Sequence, residues 1–289
     1  MAPLTDQWSA WILERRFGGD ERRARAMLEE LGRVRDQILD YAELKPGDRL
    51  LDVGCGDGLI GFGALAREPG CSVVFSDVSK RLVDQCRQLA AAAGLTERGR
   101  FLDAAAEDLS QLDDASIDVV TTRSVLIFVE AKLRAFQEFY RVLRSGGRIS
   151  LSEPINRYFV QPDGSPPPTF EPGPVKDLAD RVRAVFVRAA PGGMMDFDER
   201  DLVRLIEQAG FQEVHVRLHV DVQPAKPQAW EGFYGSSPNP LAPTIEEAAN
   251  QVLTPAEVDR FVRHFRPLVE RGLGTSRLAL AYLWAAKPV

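Results

Sequence analysis

Apolar residues recur every three or four positions over the first 45 residues of the chain, and this spacing predicts amphipathic helices. Leu28, Leu31 and Ile38 share one predicted face, and a turn at Pro46-Gly47 ends the pattern. We therefore expect residues 1–45 to form an N-terminal helical cap.

Short apolar runs alternate with helical patterns over the next hundred residues. Buried strands are predicted at 49–53, 72–77, 100–104, 117–123 and 148–153. Alternation of strand and helix requires right-handed crossovers, which place the strands in a parallel sheet with helices on both faces. The pattern therefore predicts an α/β fold whose core spans residues 46–160.

The pattern changes beyond residue 160. Proline-rich stretches at 161–174 and 224–243 predict loops, a helix is expected over 177–187, and strict alternation at 213–222 predicts a half-exposed strand. A last strand is expected over 277–287. We interpret residues 161–289 as the completion of the sheet, with a helical substrate lid inserted at 160–200 and 224–272.

Several helix starts are marked by capping residues. Capping boxes are predicted at Asp196 with Glu199, at Thr244 with Glu247 and at Thr254 with Glu257, and Ser79 is placed to cap the helix after the second strand.

Composition narrows the classes of protein. The 289 residues are 45% hydrophobic and 27% charged, which is typical of a soluble globular chain, and no apolar run is long enough to span a membrane. No leader pattern follows Met1, so a cytoplasmic location is expected. The net charge of −6 argues against a nucleic-acid partner. The three cysteines and three histidines lack metal-ligand spacing, so no metal site is predicted.

The segment LLDVGCGDG at residues 50–58 carries the strongest chemical signal. Glycines at a strand end let the backbone turn sharply and approach a ligand closely. The third glycine of the dinucleotide pattern G-x-G-x-x-G would fall at Leu59, so the dinucleotide fingerprint is broken. Asp52, two residues before the first glycine, suits a cationic ammonium group. Its alternative role is to cap the next turn.

Four motifs in this order resemble the class I S-adenosylmethionine-dependent methyltransferases, in particular the small-molecule branch that includes menaquinone-biosynthesis and arsenite methyltransferases. The motifs are LLDVGCGDG, the acidic strand end at Asp77, AEDL at 106–109 and FYRVLRSGGRISLSEP at 139–154. The resemblance covers residues 30–153 well and implies a Rossmann-like sheet of seven strands. Strands one to five would be parallel, and the last strand would be antiparallel.

The resemblance implies S-adenosylmethionine as cofactor and assigns residues to it. The backbone of Gly54, Cys55 and Gly56 would line the methionine half, with Asp52 near the ammonium group. Asp77 would accept hydrogen bonds from both ribose hydroxyls. The alternative for Asp77 is an ordinary loop carboxylate.

The adenine would lie beside Val78, Ala106 and Glu107, with Ala106 acting through its backbone amide. The sequence departs from the family pattern at Ala105, where relatives often have aspartate. This departure leaves the adenine amino group to Glu107, Asp108 or water. Glu107 could equally be a solvated helix residue.

Residues after the fourth strand would face the methyl group. The segment Thr122-Arg123-Ser124 lacks the Pro-Pro-aromatic and Pro-Cys motifs of nucleic-acid methyltransferases. Arg123 suits the cofactor carboxylate or an anionic substrate, and its alternative role is an ion pair at the strand end.

Methyl transfer from a sulfonium needs a general base only for some acceptors. Glu153, Tyr158 and Asp196 are the predicted catalytic candidates, because they follow strands near the site. The histidines at 215, 219 and 264 are expected to be structural.

Aromatic and methionine side chains are concentrated in the N-terminal helices and the predicted lid. They are Trp8, Trp11, Phe17, Tyr158, Phe159, Met194, Met195, Phe197, Trp230, Phe233 and Tyr234. Such a lid favours an apolar or aromatic small-molecule acceptor, although these residues could instead pack the cap.

The predicted function is therefore methyl transfer to a small organic acceptor, with S-adenosylhomocysteine as product. The sequence does not favour carbon, nitrogen, oxygen or sulfur as the methylated atom, or any oligomeric state. The alternatives are a protein of this fold that binds the cofactor for another reaction, such as cyclisation, or without catalysis, and then a protein or nucleic-acid methyltransferase.

Overall fold

The computed structural model describes residues 6–161, 166–189 and 194–289. The chain divides into two compact units. The sheet unit comprises Glu30–Tyr158, Gly192–His219 and Ala279–Val289, and the helical unit comprises Met1–Glu29, Phe159–Pro191 and Val220–Leu278. The first division falls inside a long helix, between Glu29 and Glu30.

The described strands form one seven-stranded sheet in the order β3-β2-β1-β4-β5-β7-β6. The strands are β1 (Arg49–Val53), β2 (Ser72–Asp77), β3 (Gly99–Asp103), β4 (Ile117–Arg123), β5 (Leu143–Pro154), β6 (Gln212–Pro224) and β7 (Thr275–Ala286). The first five strands pair in parallel and β7 pairs antiparallel to β5, which confirms the predicted sheet.

The described helices alternate with the first strands and then cluster beyond β5. They are α1 (Gln7–Ala10), α2 (Glu21–Ala42), α3 (Leu59–Arg67), α4 (Lys80–Ala92), α5 (Lys132–Val142), α6 (Lys176–Ala189), α7 (Glu199–Gln208), α8 (Trp230–Tyr234), α9 (Ile245–Val252) and α10 (Pro255–Arg271). A π-helical turn, Trp11–Arg15, follows α1.

The sheet unit is built around a core on one face of the sheet. Ile38 of α2, Ile60 of α3 and Phe75 of β2 belong to this buried cluster. Central β1 pairs with both β2 and β4, and Val53 is in register with Ser76 and with Thr122. The carboxyl ends of these three strands therefore meet at one edge, where parallel α/β sheets bind their ligands.

The helical unit has a separate apolar core that includes several aromatic side chains. Trp230 stacks on Tyr234 with ring centroids 4.8 Å apart, and Phe170 meets Phe233 edge-on at 5.7 Å. These contacts show that part of the predicted aromatic lid packs against itself.

The predicted helix starts are confirmed with one correction. Ser79 caps α4, and Thr244 and Thr254 form capping boxes at α9 and α10. The box at α7 consists of Asp198 and Asp201, so the predicted pair Asp196 and Glu199 is wrong.

Two further differences concern the loops. The short helix α8 lies inside the proline-rich stretch at 224–243, where only loop was expected. The predicted loop at 161–174 and lid at 160–200 extend into residues 162–165 and 190–193, which lie outside the described residues. Within the described part of the chain, no helix is long and apolar enough to cross a membrane.

Candidate cofactor-binding site

The glycine turn after β1 adopts a backbone that other residues rarely adopt. Gly54, Gly56 and Gly58 all have positive φ, at 64°, 56° and 83°. Gly54 is also approached closely from the β4 side, because a Cβ atom placed on it would lie 2.3 Å from Cγ2 of Val125. A side chain is thus disfavoured at Gly54 by both conformation and space.

The carboxylate of Asp77 joins the end of β2 to this turn. Its Oδ2 accepts the N–H of Gly56 at 2.9 Å, and its Oδ1 accepts the N–H of Ser79 at 2.9 Å. The side chain is almost fully buried. A carboxylate oxygen can accept more than one hydrogen bond, so each retains capacity for a ligand hydroxyl.

Asp52 lies one residue before the end of β1 and is buried. Its Oδ2 accepts the N–H of Gly61 at 2.9 Å, and its Oδ1 lies 3.5 Å from the hydroxyl of Thr121. Burial raises the pKa of Asp52 to about 7, although the bond from Gly61 and the charge of Arg123 lower it. The carboxylate does contact the helix that follows, as its alternative role required.

Arg123 lies at the end of β4, beside the end of β1. Its guanidinium donates to the hydroxyl of Ser124 at 3.3 Å. Burial lowers the pKa of Arg123, and the negative charges of Asp57, Glu153 and Asp52 raise it. Among the described residues, no carboxylate lies within ion-pair distance of this guanidinium. The arrangement therefore favours a ligand anion over the alternative of an internal ion pair.

Glu153, at the end of β5, is fully buried and turned toward the protein backbone. Its Oε1 accepts the N–H groups of Val125 and Leu126 at 3.0 and 3.1 Å, and its Oε2 accepts that of Ile127 at 3.3 Å. Burial raises its pKa to about 7. These contacts argue for holding a loop rather than for proton exchange with a substrate.

The adenine-side residues lie beyond β2 and β3. Val78 is 56% exposed, which is unusual for a large apolar residue in the sheet unit, and Ala106 is buried. Residues 105–108 form a turn closed by the N–H of Asp108 donating to the carbonyl of Ala105 at 3.1 Å. Glu107 therefore lies in a turn and not in a helix.

The two remaining catalytic candidates lie elsewhere in the sheet unit. Tyr158 follows β5 and is 47% exposed. The carboxylate of Asp196 forms an ion pair with the buried Lys132, with Nζ–O distances of 2.9 and 3.2 Å. Lys132 also donates to the carbonyl of Val129 at 2.9 Å, so Asp196 is held at the start of α5.

Cys55 has a buried side chain beneath the turn. Its sulfur lies 4.0 Å from that of Cys86, and burial with this contact raises the pKa of the Cys55 thiol. The thiol therefore packs inside the protein, and the predicted contact of the Cys55 backbone with the cofactor stays a prediction.

The strand ends and the glycine turn bring together the carboxylates of Asp52, Asp57, Asp77 and Glu153 and the guanidinium of Arg123. Asp52, Asp57 and Asp77 outnumber Arg123, and this excess suits a ligand with positive charge. Three buried hydroxyls at the same strand ends have no hydrogen-bond partner among the described residues: Ser76, Thr122 and Ser152. These residues fit S-adenosylmethionine, whose sulfonium and ammonium are cationic and whose carboxylate suits Arg123.

Sequence reasoning missed several residues of this region. Val125 and Glu138 take part through close packing and a backbone bond, and Asp57 takes part through its charge. No residue-type pattern marks such contacts, because each depends on which loop folds beside it.

Comparison with known proteins agrees with this geometry. Residues 51–151, about a third of the chain, match a family model described as a methyltransferase domain. Within this range the chain is therefore similar to methyltransferase domains.

Two curated relatives illustrate the similarity. A ubiquinone/menaquinone biosynthesis C-methyltransferase of Cereibacter sphaeroides is 36% identical over 121 residues, which is 41% of this chain and 47% of the relative. The 27-O-demethylrifamycin SV methyltransferase of Amycolatopsis mediterranei is 33% identical over 153 residues, covering 53% of this chain and 54% of the relative. The chain thus spans about half the length of these relatives.

A solved structure of geranyl diphosphate methyltransferase in complex with S-adenosylmethionine has the same fold. It aligns with a TM-score of 0.54 and 20% identity over 94% of each chain. The comparisons thus agree with the predicted methyltransferase fold and with S-adenosylmethionine as its cofactor. The exclusion of nucleic acid stays a prediction, because a tRNA methyltransferase of Escherichia coli is 32% identical over 40% of this chain and 43% of its own.

Proposed function

We propose that this protein transfers a methyl group from S-adenosylmethionine to a small, apolar or aromatic organic acceptor and releases S-adenosylhomocysteine. The observation that carries the proposal is the Asp77 carboxylate, which ties the end of β2 to the glycine turn at Gly56. It places a buried carboxylate beside the glycine turn, where Gly54, Gly56 and Gly58 have positive φ.

Different residues at the strand ends would bind different parts of the cofactor. The backbone of Gly54, Cys55 and Gly56 would line the methionine half, with Asp52 near the ammonium group and Arg123 near the carboxylate. Asp77 would hold the ribose. Val78, Ala106 and Glu107 would border the adenine, and the exposure of Val78 leaves it available for this contact.

The bound cofactor supplies a methyl group already activated by the positive charge on sulfur. Alignment and exclusion of water then matter more than a strong base. The engagement of Glu153 with backbone and of Asp196 with Lys132 supports a mechanism without either as a base. Tyr158 is the remaining predicted candidate, and its side chain is 47% exposed.

An apolar acceptor is supported by exposed side chains of the sheet unit. Tyr158 is 47% and Met195 is 37% exposed, and their segments are joined by the side chain of Asn156 donating to the carbonyl of Met194 at 3.2 Å. The two curated relatives are named for ubiquinone/menaquinone biosynthesis and for a demethylrifamycin. These names support a secondary metabolite or an isoprenoid-type compound as the acceptor.

A cytoplasmic location is part of the proposal. Cys55, Cys71 and Cys86 are all free, as expected of a protein in a reducing compartment.

Calorimetric titration with S-adenosylmethionine and S-adenosylhomocysteine tests the cofactor site. Micromolar binding of both is expected, and absence of binding by folded, ligand-free protein would refute the proposal. A panel of quinols and polyketide-like phenols, with S-adenosylhomocysteine measured by mass spectrometry, then tests transfer. Asp77→Ala is the inactive control. Tight binding without product from any acceptor would favour a non-methyltransferase reaction.

A further inference from the structure

Both oxygens of the Glu153 carboxylate accept backbone N–H groups from one short loop. Three consecutive N–H groups, those of Val125, Leu126 and Ile127, donate to its two oxygens at 3.0–3.3 Å. The side chain is 0% exposed. A buried carboxylate is costly unless such bonds compensate its lost hydration.

The loop needs this support because it leaves β4 through a strained residue. Ser124 has a φ of 55°, a left-handed conformation that costs a non-glycine residue free energy. Without Glu153, three buried or half-buried N–H groups would lose their acceptor at the same point. Glu153 therefore offsets the strain of the turn at Ser124.

The loop in turn sets one wall of the glycine turn. Val125 is the first residue held by Glu153, and its Cγ2 occupies the space that a Cβ on Gly54 would need, at 2.3 Å. Arg123 lies two residues earlier and is attracted by the negative charge of Glu153. Both neighbours of the methionine half, Gly54 and Arg123, thus depend on where this loop lies.

We infer that Glu153 is a positioning residue, which holds residues 125–127 so that Val125 and Arg123 shape the methionine half of the cofactor site. The inference rests on the proposed function for the identity of the ligand. It replaces a role as general base with one that acts through the backbone of the loop.

Glu153→Gln is the test variant, because glutamine keeps the shape but has only one oxygen to accept N–H groups. The two probes are S-adenosylhomocysteine and 5′-methylthioadenosine, which lacks the amino-acid group. We expect affinity for the first to fall at least tenfold and affinity for the second to change less than twofold. Amide hydrogen exchange of residues 125–127 in the ligand-free protein should accelerate at least tenfold.

Asp118→Asn is the matched control. Asp118 is also a buried carboxylate that accepts a backbone N–H, from Arg49 at 2.7 Å, but it lies near the amino end of β4. This variant should leave the exchange of 125–127 and the difference between the probes unchanged.

Equal weakening of both probes by Glu153→Gln, or unchanged exchange, would overturn the inference. If wild-type protein binds neither probe, the proposed function fails, and the exchange measurement still decides whether Glu153 holds the loop. Should Glu153→Gln not fold, Val125→Ala tests the other end of the contact. It should weaken S-adenosylhomocysteine selectively while the remaining backbone bonds stay protected, and an unchanged affinity would overturn the inference.

Discussion

The sheet unit and the helical unit differ in where their carboxylates lie. Within the described residues, every carboxylate that is less than a tenth exposed lies in the sheet unit: Asp48, Asp52, Asp77, Asp118, Glu138 and Glu153. In the helical unit, ion pairs such as Arg15 with Glu247 lie at the surface, and the buried core is made of aliphatic and aromatic side chains. The family model matches only residues of the sheet unit.

This difference distinguishes a unit that contains buried charge from a unit that is stabilised by apolar packing. A buried carboxylate must be compensated by hydrogen bonds, so its presence at a strand end requires a structural or chemical reason. An apolar core needs only volume and shape, and it tolerates substitution between relatives. We therefore expect cofactor binding to depend on the sheet unit.

The largest effect on stability is expected from Trp230→Ala in the helical unit. Trp230 is buried against Phe233 and Tyr234, and truncation of a large core aromatic costs about 3–5 kcal/mol. Denaturant unfolding followed by circular dichroism measures the loss, and Trp230→Phe should recover part of it. Folded Trp230→Ala should bind S-adenosylhomocysteine as wild type does, and a tenfold loss would show that the separation of roles is wrong.

Asp77→Ala should have the largest effect on cofactor affinity. It removes the acceptor of the Gly56 and Ser79 N–H groups together with the proposed ribose contacts, each charge-assisted bond contributing roughly 1.5–3 kcal/mol. Calorimetry should show affinity for S-adenosylmethionine reduced at least tenfold. Asp84→Ala removes an exposed carboxylate from the same stretch of sequence and should leave the affinity for S-adenosylmethionine unchanged. Wild-type affinity in Asp77→Ala would refute the ribose assignment.

Cofactor affinity should rise with pH through about 7. Burial raises the pKa of Asp52 to about 7, and the charges facing it are those of Arg123, Asp77 and Asp57. A cationic ligand favours the ionised carboxylate, so affinity at pH 7.5 should exceed that at pH 6 by roughly threefold to tenfold. Asp52→Asn should flatten the profile, and an equal rise in this variant would assign the effect to another group.

The same raised pKa gives stability the opposite pH dependence. The folded state holds the Asp52 proton more tightly than the unfolded state, so its contribution is fully present below pH 4 and is lost as pH rises toward 7. Glu153, with its pKa also raised to about 7, acts in the same direction. Thermal unfolding of the ligand-free protein at pH 5 and 7.5 measures the sum, which each amide variant should reduce.

The smallest effect is expected at a helix cap of the helical unit. Thr244→Ala removes the hydroxyl that accepts the N–H of Glu247 at 3.0 Å, and loss of such a cap costs about 0.5–2 kcal/mol. Thr244→Ser should retain the stability of the wild type in the same melt. Cofactor affinity should be unaffected, and a changed affinity would show that residues of the helical unit also influence cofactor binding.

The sequence predicted the parts of the site that depend on chain order. The glycine turn, Asp52, Asp77 and Arg123 follow buried strands, and parallel strands bring their carboxyl ends to one edge whatever the detail of packing. The capping boxes at Thr244 and Thr254 were predictable for a similar reason, since both partners lie within one turn of helix.

Contacts between distant segments were not predictable. Nothing local shows that Glu153 would accept N–H groups from a loop 26–28 residues earlier, or that Asp196 would pair with Lys132, 64 residues away. The cap at Asp198 displaced the predicted Asp196 because the chain enters α7 two residues later than the pattern indicated.

The sequence by itself thus determined the order of elements, the fold and the positions at the strand ends where a cofactor would bind. Only the tertiary structure decided which buried carboxylates are placed for a proposed ligand and which accept hydrogen bonds from backbone N–H groups alone. The physical reason is that hydrophobic periodicity and turn chemistry are local properties of the chain. The partner of a buried charge is set by whichever segments the packed core brings within hydrogen-bond distance.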